Sequence, residues 1–413
     1  MRVNGTAAAS SGSRQPAQAA QHLTYCTNIH PGESLPEVRA ALAEFVPKVK
    51  AQVAPSQPFG VGLRLSQLAA AQLTAAGQVA ELRDWLEQRG LYVFTLNGFP
   101  YGAFHGTRVK ERVYEPDWRT ASRVEYTAQL AAALAGLLPE GVAGSISTVP
   151  GAWKASVASA DELASMGEHV LQSAAGLVKI WQATGREISL ALEPEPGCVL
   201  ETIDEAVGFF GAYLFSERAI ARFAALTGLS RAEAASRARV HLGLCLDACH
   251  AAVEFEDPKQ LLATLDRAGV EVKKLQISSG LRVPRVDSAA REALAAFEDD
   301  TYLHQTVERR ADVLTRYRDL PEAIAAARFD GESEWRIHFH VPVFLERYGV
   351  LESTQGFLRE LLQLHRERPI SAHLEVETYT WDVLPADLRA QEVTAAISRE
   401  LQFVIAELSG PSR

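Results

Sequence analysis

The sequence predicts a single (β/α)8 barrel of the TIM type, and three observations carry that prediction. Eight short apolar runs alternate with longer helical stretches, the pattern of parallel strands joined by crossover helices. An eightfold alternation over 413 residues suits a closed barrel with insertions better than an open doubly wound sheet. No strand end carries GxGxxG or GxxxxGK(S/T), the phosphate loops that an open sheet would want.

Taken in order, residues 1–21 are rich in Ala, Ser, Gly and Gln and lack the apolar core of a secretory signal. They are expected to be a disordered tail, with a single domain over 22–413. His22 to His30 reads as the first strand, with a helix to about Val53. Phe59 to Leu65 is the second, its helix running to about Arg89. Leu91 to Leu96 is the third, ending in the polar loop from Asn97 to Gly102, with a helix from about Trp118 to Leu138. Val142 to Val149 is the fourth, before an Ala-rich helix from about Asp161 to Thr184. Ile188 to Glu193 is the fifth, and helical sequence follows from about Thr202 to Arg237, broken near Leu226–Ser230.

The sixth strand lies in VHLGLCLDACHA, Val240 to Ala251, and Asp257-Pro258 starts the next helix. Val272 to Ser278 is the seventh. Residues 280–334 are charged and mostly helical in pattern, an insertion that is either a helical elaboration packed on the barrel or a lid or docking surface, in which His304 and Gln305 are the polar residues of interest. Trp335 to Phe344 is strand-like, with a helix from about Thr354 to Arg366. Ala372 to Tyr379 is the eighth barrel strand, closed by a helix from about Pro385 to Leu408.

Composition bounds the function. The chain is 47% hydrophobic and 22% charged, as a soluble globular protein is, and no apolar run is long enough to cross a bilayer. A net charge of -10 argues against a nucleic-acid partner, which calls for a basic surface. Four cysteines without a CxxC pair make neither a disulfide framework nor a thioredoxin-like motif, so the expected compartment is the cytoplasm.

In a TIM barrel the chemistry gathers where strands end. Those ends carry Asn28 and His30, Asn97, Glu193, Asp247 with His250, Gln276 with Ser278, and Glu375 with Glu377. Asp247 and His250 at the end of a buried strand are costly without a partner, which a divalent metal would supply. The competing account is an Asp that caps the next helix. Topology brings seven other strand ends to the same rim, which favours the metal. Glu, Asp, an amide oxygen and a second Glu form an oxygen-rich set suited to Mn²⁺, Mg²⁺, Co²⁺ or Zn²⁺. The ligands are then Glu193, Asp247, Gln276 and Glu377, with Glu377 preferred over Glu375 because it lies nearer the rim. His338 and His340 share a strand face and, with His250, could hold a second metal or touch substrate; the alternative is a pair of barrel-interior or surface imidazoles. Glu195 falls between two prolines and is expected to face solvent.

The endings LALEPEPG and CLDACHAAV resemble the xylose-isomerase-like TIM-barrel superfamily, which includes keto-sugar epimerases, sugar-phosphate isomerases and metal-dependent apurinic-site endonucleases. TYCTNIHPGES (Thr24 to Ser34) and HLEVETYTWDVLP near the C-terminus resemble one subgroup, the EboE metabolite-traffic proteins. The resemblance covers roughly Leu23 to Glu407. It implies that Glu193, Asp247 and Glu377 hold a shared metal and that Gln276 stands where most members have a histidine. It also implies that His250 contacts substrate or a further metal, and that Arg282 binds substrate. His338-x-His340 looks like the endonucleases' Asp-x-His motif. The early endonuclease histidines are absent, with Asn97 and Ser147-Thr148 near their places, which argues against cleavage of abasic DNA.

Three functions follow as expectations. The first is isomerisation or epimerisation of a small polyhydroxylated or sugar-like metabolite, with Glu193 and Glu377 as the proton-transferring carboxylates and Asn28, His30, Asn97 and Arg282 binding substrate. The second is a two-metal phosphoesterase-like hydrolase using His250, His338 and His340. The third is a non-catalytic metabolite-binding protein, with membrane proteins of an export system as candidate partners. The sequence leaves substrate, ion and oligomeric state open.

Overall fold

The computed structural model describes residues 21–103, 105–106, 108–385 and 392–410. Twenty residues of the expected tail, and the start of the last expected helix, lie outside these. Seven barrel strands come first: β1 (His22–Tyr25), β2 (Phe59–Arg64), β3 (Leu91–Asn97), β4 (Gly144–Thr148), β5 (Ile188–Leu192), β6 (Leu242–Asp247) and β7 (Val272–Ile277). The chain then builds β8 (Gly280–Val283), β9 (Thr306–Arg310), β10 (Val313–Tyr317), β11 (Ser333–His340), β12 (Arg347–Tyr348) and β13 (Leu351–Ser353) before the eighth barrel strand, β14 (His373–Val376). The barrel sheet is parallel, in the order β1-β14-β7-β6-β5-β4-β3-β2. A parallel bridge between Cys26 and Gly62 brings its two edges together, and the Thr24 hydroxyl donates to the Gly60 carbonyl at 2.7 Å across the same seam.

Helices pack outside the barrel and start where the sequence provides caps. Ser34, Ser159, Thr202 and Ser230 each form a capping box with a glutamate three residues on. The expected helical stretch after β5 breaks where Gly228 ends the helix Glu217–Thr227 in the left-handed conformation. The sixth strand begins at Leu242, because Val240 and His241 still close the preceding helix.

The insertion stands after the seventh strand, but its helical assignment is corrected. Its backbone is an antiparallel sheet, β10-β9-β11-β8-β13-β12, with short helices at Ser288–Leu294 and Leu320–Ala326. The reason lies in TVERR and VLTRY, whose β-branched and aromatic residues favour extended chain. A tight turn at Ala311 (φ 51) joins them as the hairpin β9–β10. The strand carrying His338 and His340 is thus the long central strand of this second sheet, bent across the mouth of the barrel.

Inside the barrel, alternation along β7 and β14 stacks side chains in layers. His22 and His373 lie near the bottom, with Nδ1 atoms 2.9 Å from the Tyr92 hydroxyl and 2.8 Å from Ser145 Oγ. Above them is an ion pair without solvent contact, Lys274 Nζ to Glu375 Oε1 at 2.6 Å. Gly62 makes room for it: a Cβ there would lie 1.9 Å from Glu375 Oε2. The top layer, at the C-terminal rim, is the candidate site.

Candidate metal centre at the barrel rim

Parallel register aligns the rim residues. Asp247 pairs with Gln276 across β6 and β7, and Gln276 pairs with Glu375 across β7 and β14. Asp247 ends its strand as the N-cap of the short helix Ala248–Val253. Its Oδ1 accepts from the His250 backbone N–H at 3.0 Å and from the Ser278 hydroxyl at 2.6 Å. The two sequence accounts of Asp247 are therefore compatible, one oxygen capping and the other left over.

Glu377, one residue past β14, is held by three amides. Asn28 and Asn97 donate to its Oε1 at 2.6 and 3.1 Å, and Gln276 donates to Oε2 at 2.9 Å. Glu375 is committed to Lys274 below, so Glu377 is the carboxylate at the rim. Glu193 follows β5 and completes the ring. Four oxygens here are buried and have no hydrogen-bond partner: Glu193 Oε2, Asp247 Oδ2, Gln276 Oε1 and Asn28 Oδ1. Glu193, Asp247 and His250 also present ligand atoms within 4.8 Å of one another. Burial, then Glu377 and Asp247, raise the Glu193 carboxyl well above its usual range. Burial, then Asp247 and Glu375, raise Glu377, against the opposing pull of Lys274 and the Asn28 hydrogen bond. Crowded carboxylates with orphaned oxygens in a dry site are what a hard divalent cation offsets, so the donor set fits one.

The histidines form a second cluster. Carbonyl oxygens only accept, so their partners fix the tautomers. His250 Nδ1 lies 2.9 Å from the Pro194 carbonyl, and His340 Nδ1 2.8 Å from the Glu377 carbonyl. His338 Nδ1 lies 2.8 Å from Gln305 Oε1; the Gln305 amide is oriented by its own donation to the Pro196 carbonyl at 2.9 Å. Every Nδ1 therefore carries the hydrogen, and the Nε2 lone pairs face inward. His250 Nε2 and His338 Nε2 are 3.1 Å apart, with the Tyr379 hydroxyl 3.4 Å from the latter, and His340 Nε2 has no partner. Two nitrogens on one tetrahedral Zn²⁺ would stand about 3.3 Å apart. Burial, reinforced by neighbouring imidazoles, lowers His338 well below the usual value; burial takes His340 down to about 4. Both rings are neutral, as ligands must be.

The other sequence candidates fall in different places. Asn28 and Asn97 line the central cavity with Glu193, His250, His338 and Glu377. His30 lies apart, bonded to the Tyr25 hydroxyl at 3.1 Å and stacked on Phe45 at 4.1 Å. Arg282 also lies apart, on β8, where Glu334 (2.8 Å) and Glu352 (2.7 Å) take its guanidinium. The short spacing from Gln276 misplaces it, because β8 turns away into the second sheet. Glu195 is corrected in the other direction: it is 4% exposed and lines the cavity. Tyr114, whose hydroxyl also accepts from Gln305 at 2.8 Å, donates to Glu195 Oε1 at 2.7 Å. Tyr114 and Lys274 carry no local motif, although Lys274 shares the period-two face of Gln276 and Ser278 and could have been read from it.

Glu400, on the last helix, braces the loops that follow His340 and Glu377 from behind. Its Oε1 accepts from the Val343 N–H at 3.1 Å and the Thr378 hydroxyl at 2.7 Å. Burial lifts its carboxyl from 4.5 to about 7. The folded state thus holds a proton that the unfolded chain releases above pH 4.5. Stability is fully present below that pH, falls by about 1.4 kcal/mol per unit as pH rises towards 7, and levels off beyond. Urea denaturation as a function of pH is expected to show this loss of about 3 kcal/mol. Glu400→Gln keeps the accepting oxygen and should remove this component of the slope; an unchanged slope would assign it elsewhere.

No family model matches the sequence, and no curated protein does. Among solved structures, a xylose isomerase-like TIM barrel protein from Mycobacterium smegmatis, in complex with magnesium, superposes with a TM-score of 0.51 at 10% identity, covering 94% of this chain and 97% of that one. The probable 3-DHS dehydratase AsbF of Bacillus anthracis follows at 0.47 and 13%, covering 94% and 99%. The IOLI protein with a bound zinc atom gives 0.46 and 11%, covering 94% and 97%. At such identities the likeness concerns the fold alone, and that fold is a xylose-isomerase-like TIM barrel.

Proposed function

We propose that the protein is a divalent-cation-dependent isomerase or epimerase of a small polyhydroxylated or sugar-like metabolite. The observation that carries this is the cluster of Glu193, Asp247, Gln276 and Glu377: Glu193 Oε2, Asp247 Oδ2 and Gln276 Oε1 are buried without partners, and Glu193 and Glu377 line the central cavity. A cation bound there would act as a Lewis acid on a substrate carbonyl or hydroxyl. Glu193 and Glu377 come from β5 and β14, three strands apart in the sheet order, and approach a substrate from different sides. One would take the proton next to the carbonyl and the other return it. Gln276 has no proton to exchange and orients Glu377. Asn28 and Asn97 hold that carboxylate and face the substrate. His30 and Arg282 stand outside the cavity lining and are left out of substrate binding.

The resemblance of Thr24–Ser34 and His373–Pro385 to the EboE proteins supports a place in metabolite traffic, alongside membrane proteins of an export system. Four buried, free cysteines accord with a cytoplasmic setting. Among the described residues, no helix is long and apolar enough to cross a membrane.

The test is elemental analysis of the purified chain, followed by incubation with ketoses in D2O. Bound divalent metal, and deuterium entering the carbon next to the carbonyl, are expected. No metal, and no change in melting temperature with EDTA, would sink the proposal. The facing Nε2 atoms of His250, His338 and His340 favour a second reading, a two-metal phosphoesterase-like hydrolase. Two ions per chain, falling to one in His338→Ala, together with phosphoesterase activity and no deuterium uptake, would select it.

A further inference from the structure

The side of the cavity facing the strand ends takes no part in the chemistry above, yet it constrains what can enter. Phe99 and Pro100 from the loop after β3, Val109 and Val113 from the segment that follows, and Tyr302 and Leu303 from the insertion form this roof. Val109 and Tyr302 make an apolar cluster of their own with Val113 and Tyr379 packed against it, apart from the main core. The Tyr302 and Tyr379 rings meet edge to face at 5.2 Å.

The roof is pinned in place. The Thr301 carbonyl accepts from Val109 N–H at 2.9 Å and Lys110 N–H at 3.1 Å. Lys110, the cation at the mouth, is spent on Asp319 at 2.7 Å and on the Asp299 carbonyl at 3.2 Å. The cavity thus has a polar floor and a roof that is carbon apart from the Tyr302 hydroxyl.

A free sugar carries hydroxyls around its whole edge. Those turned to the roof would lose water and, the Tyr302 hydroxyl apart, meet no donor or acceptor, and a buried polar group without a partner costs free energy. A flat apolar body would instead be covered by rings and aliphatic groups at no such cost. We infer that the site takes an amphipathic metabolite: a vicinal diol or hydroxyketone head at the Glu193–Asp247–Glu377 floor, joined to an aromatic or similarly flat apolar body under the Phe99–Val113–Tyr302–Leu303 roof. This rests on the cation-binding floor proposed above and narrows the sugar-like class to molecules that are polar at one end only.

Two probes share the head and differ in the body: 1-phenylethane-1,2-diol, and glycerol, which has hydroxymethyl in place of phenyl. The full chain is titrated first with Mn²⁺ and then, Mn²⁺-loaded, with each diol by calorimetry. The phenyl diol is expected to bind tenfold or more tightly than glycerol. The near-isosteric Val113→Thr and the stronger Leu303→Asn should shrink that ratio while leaving Mn²⁺ affinity unchanged. A smaller or reversed preference, binding of neither diol, or a ratio that both variants leave intact overturns the inference while the metal reading stands. Failure of Mn²⁺ to bind in the first titration overturns both.

Discussion

Asp247→Asn should abolish stoichiometric binding of a divalent cation while leaving the fold in place. The two oxygens of Asp247 do separate work. Oδ1 caps the helix Ala248–Val253 and takes the Ser278 hydroxyl, and Oδ2 is buried without a partner. Asparagine keeps the first function through its carbonyl and puts an NH2 group, which cannot coordinate a cation, where the second oxygen stood. Loss of a ligand carrying a full charge should exceed the tenfold to hundredfold typical of outer-sphere changes, so an affinity drop of about 100-fold or more is expected. Titration calorimetry with Mn²⁺ reads it, and circular dichroism checks the fold. The melting temperature with EDTA should differ little between the two proteins. Excess Mn²⁺ should raise it only in the wild type, because a ligand that binds the folded state alone stabilises it by mass action. Undiminished Mn²⁺ affinity in the variant would remove the carboxylate ring as the cation site.

The barrel was legible because its signal is local and repeated. Each strand is a short apolar run ending in a polar residue, and topology gathers those ends without any further information. Asp247, Gln276 and Glu377 could be placed on one rim for that reason. The insertion was misread because its Ala-rich stretches carry helical composition, whereas its architecture is set by pairing between β8, β9 and β11, which are far apart in sequence. Glu195 was misread for a related reason. Flanking prolines suggest an exposed loop, but the loop is folded inward by contacts from Tyr114 and Gln305, residues 81 and 109 positions away from Glu195 and Pro196. Arg282 stands outside the cavity lining because spacing from Gln276 carries meaning only while the chain stays in the barrel, and it leaves the barrel at Gly280.

Lys274→Met should be the most destabilising single change in the barrel interior. Lys274 and Glu375 are both without solvent contact, 2.6 Å apart. Burial opposes the lysine's charge, but Glu375 beside it, together with Cys245 and Cys26, holds the ammonium above its usual value. Methionine fills nearly the same volume, so packing is largely kept and the effect is electrostatic. What remains is a carboxylate sealed in the barrel, under a rim already crowded with Glu193, Asp247 and Glu377. Removing one partner of such a pair typically costs about 3–5 kcal/mol, because the other charge is stranded. Glu375→Gln in the same chain removes that charge, and the double variant should recover most of the loss. A double-mutant cycle by urea denaturation in EDTA measures the coupling. The rim adds a second consequence, since Lys274 lies close enough to oppose the upward shift of both Glu193 and Glu377. With it gone, a cation held at the rim would become the principal positive charge in the interior, so the stabilisation gained on adding Mn²⁺ should be larger in Lys274→Met than in the wild type. A single variant as stable as the wild type would demote the lysine from counter-charge to filler.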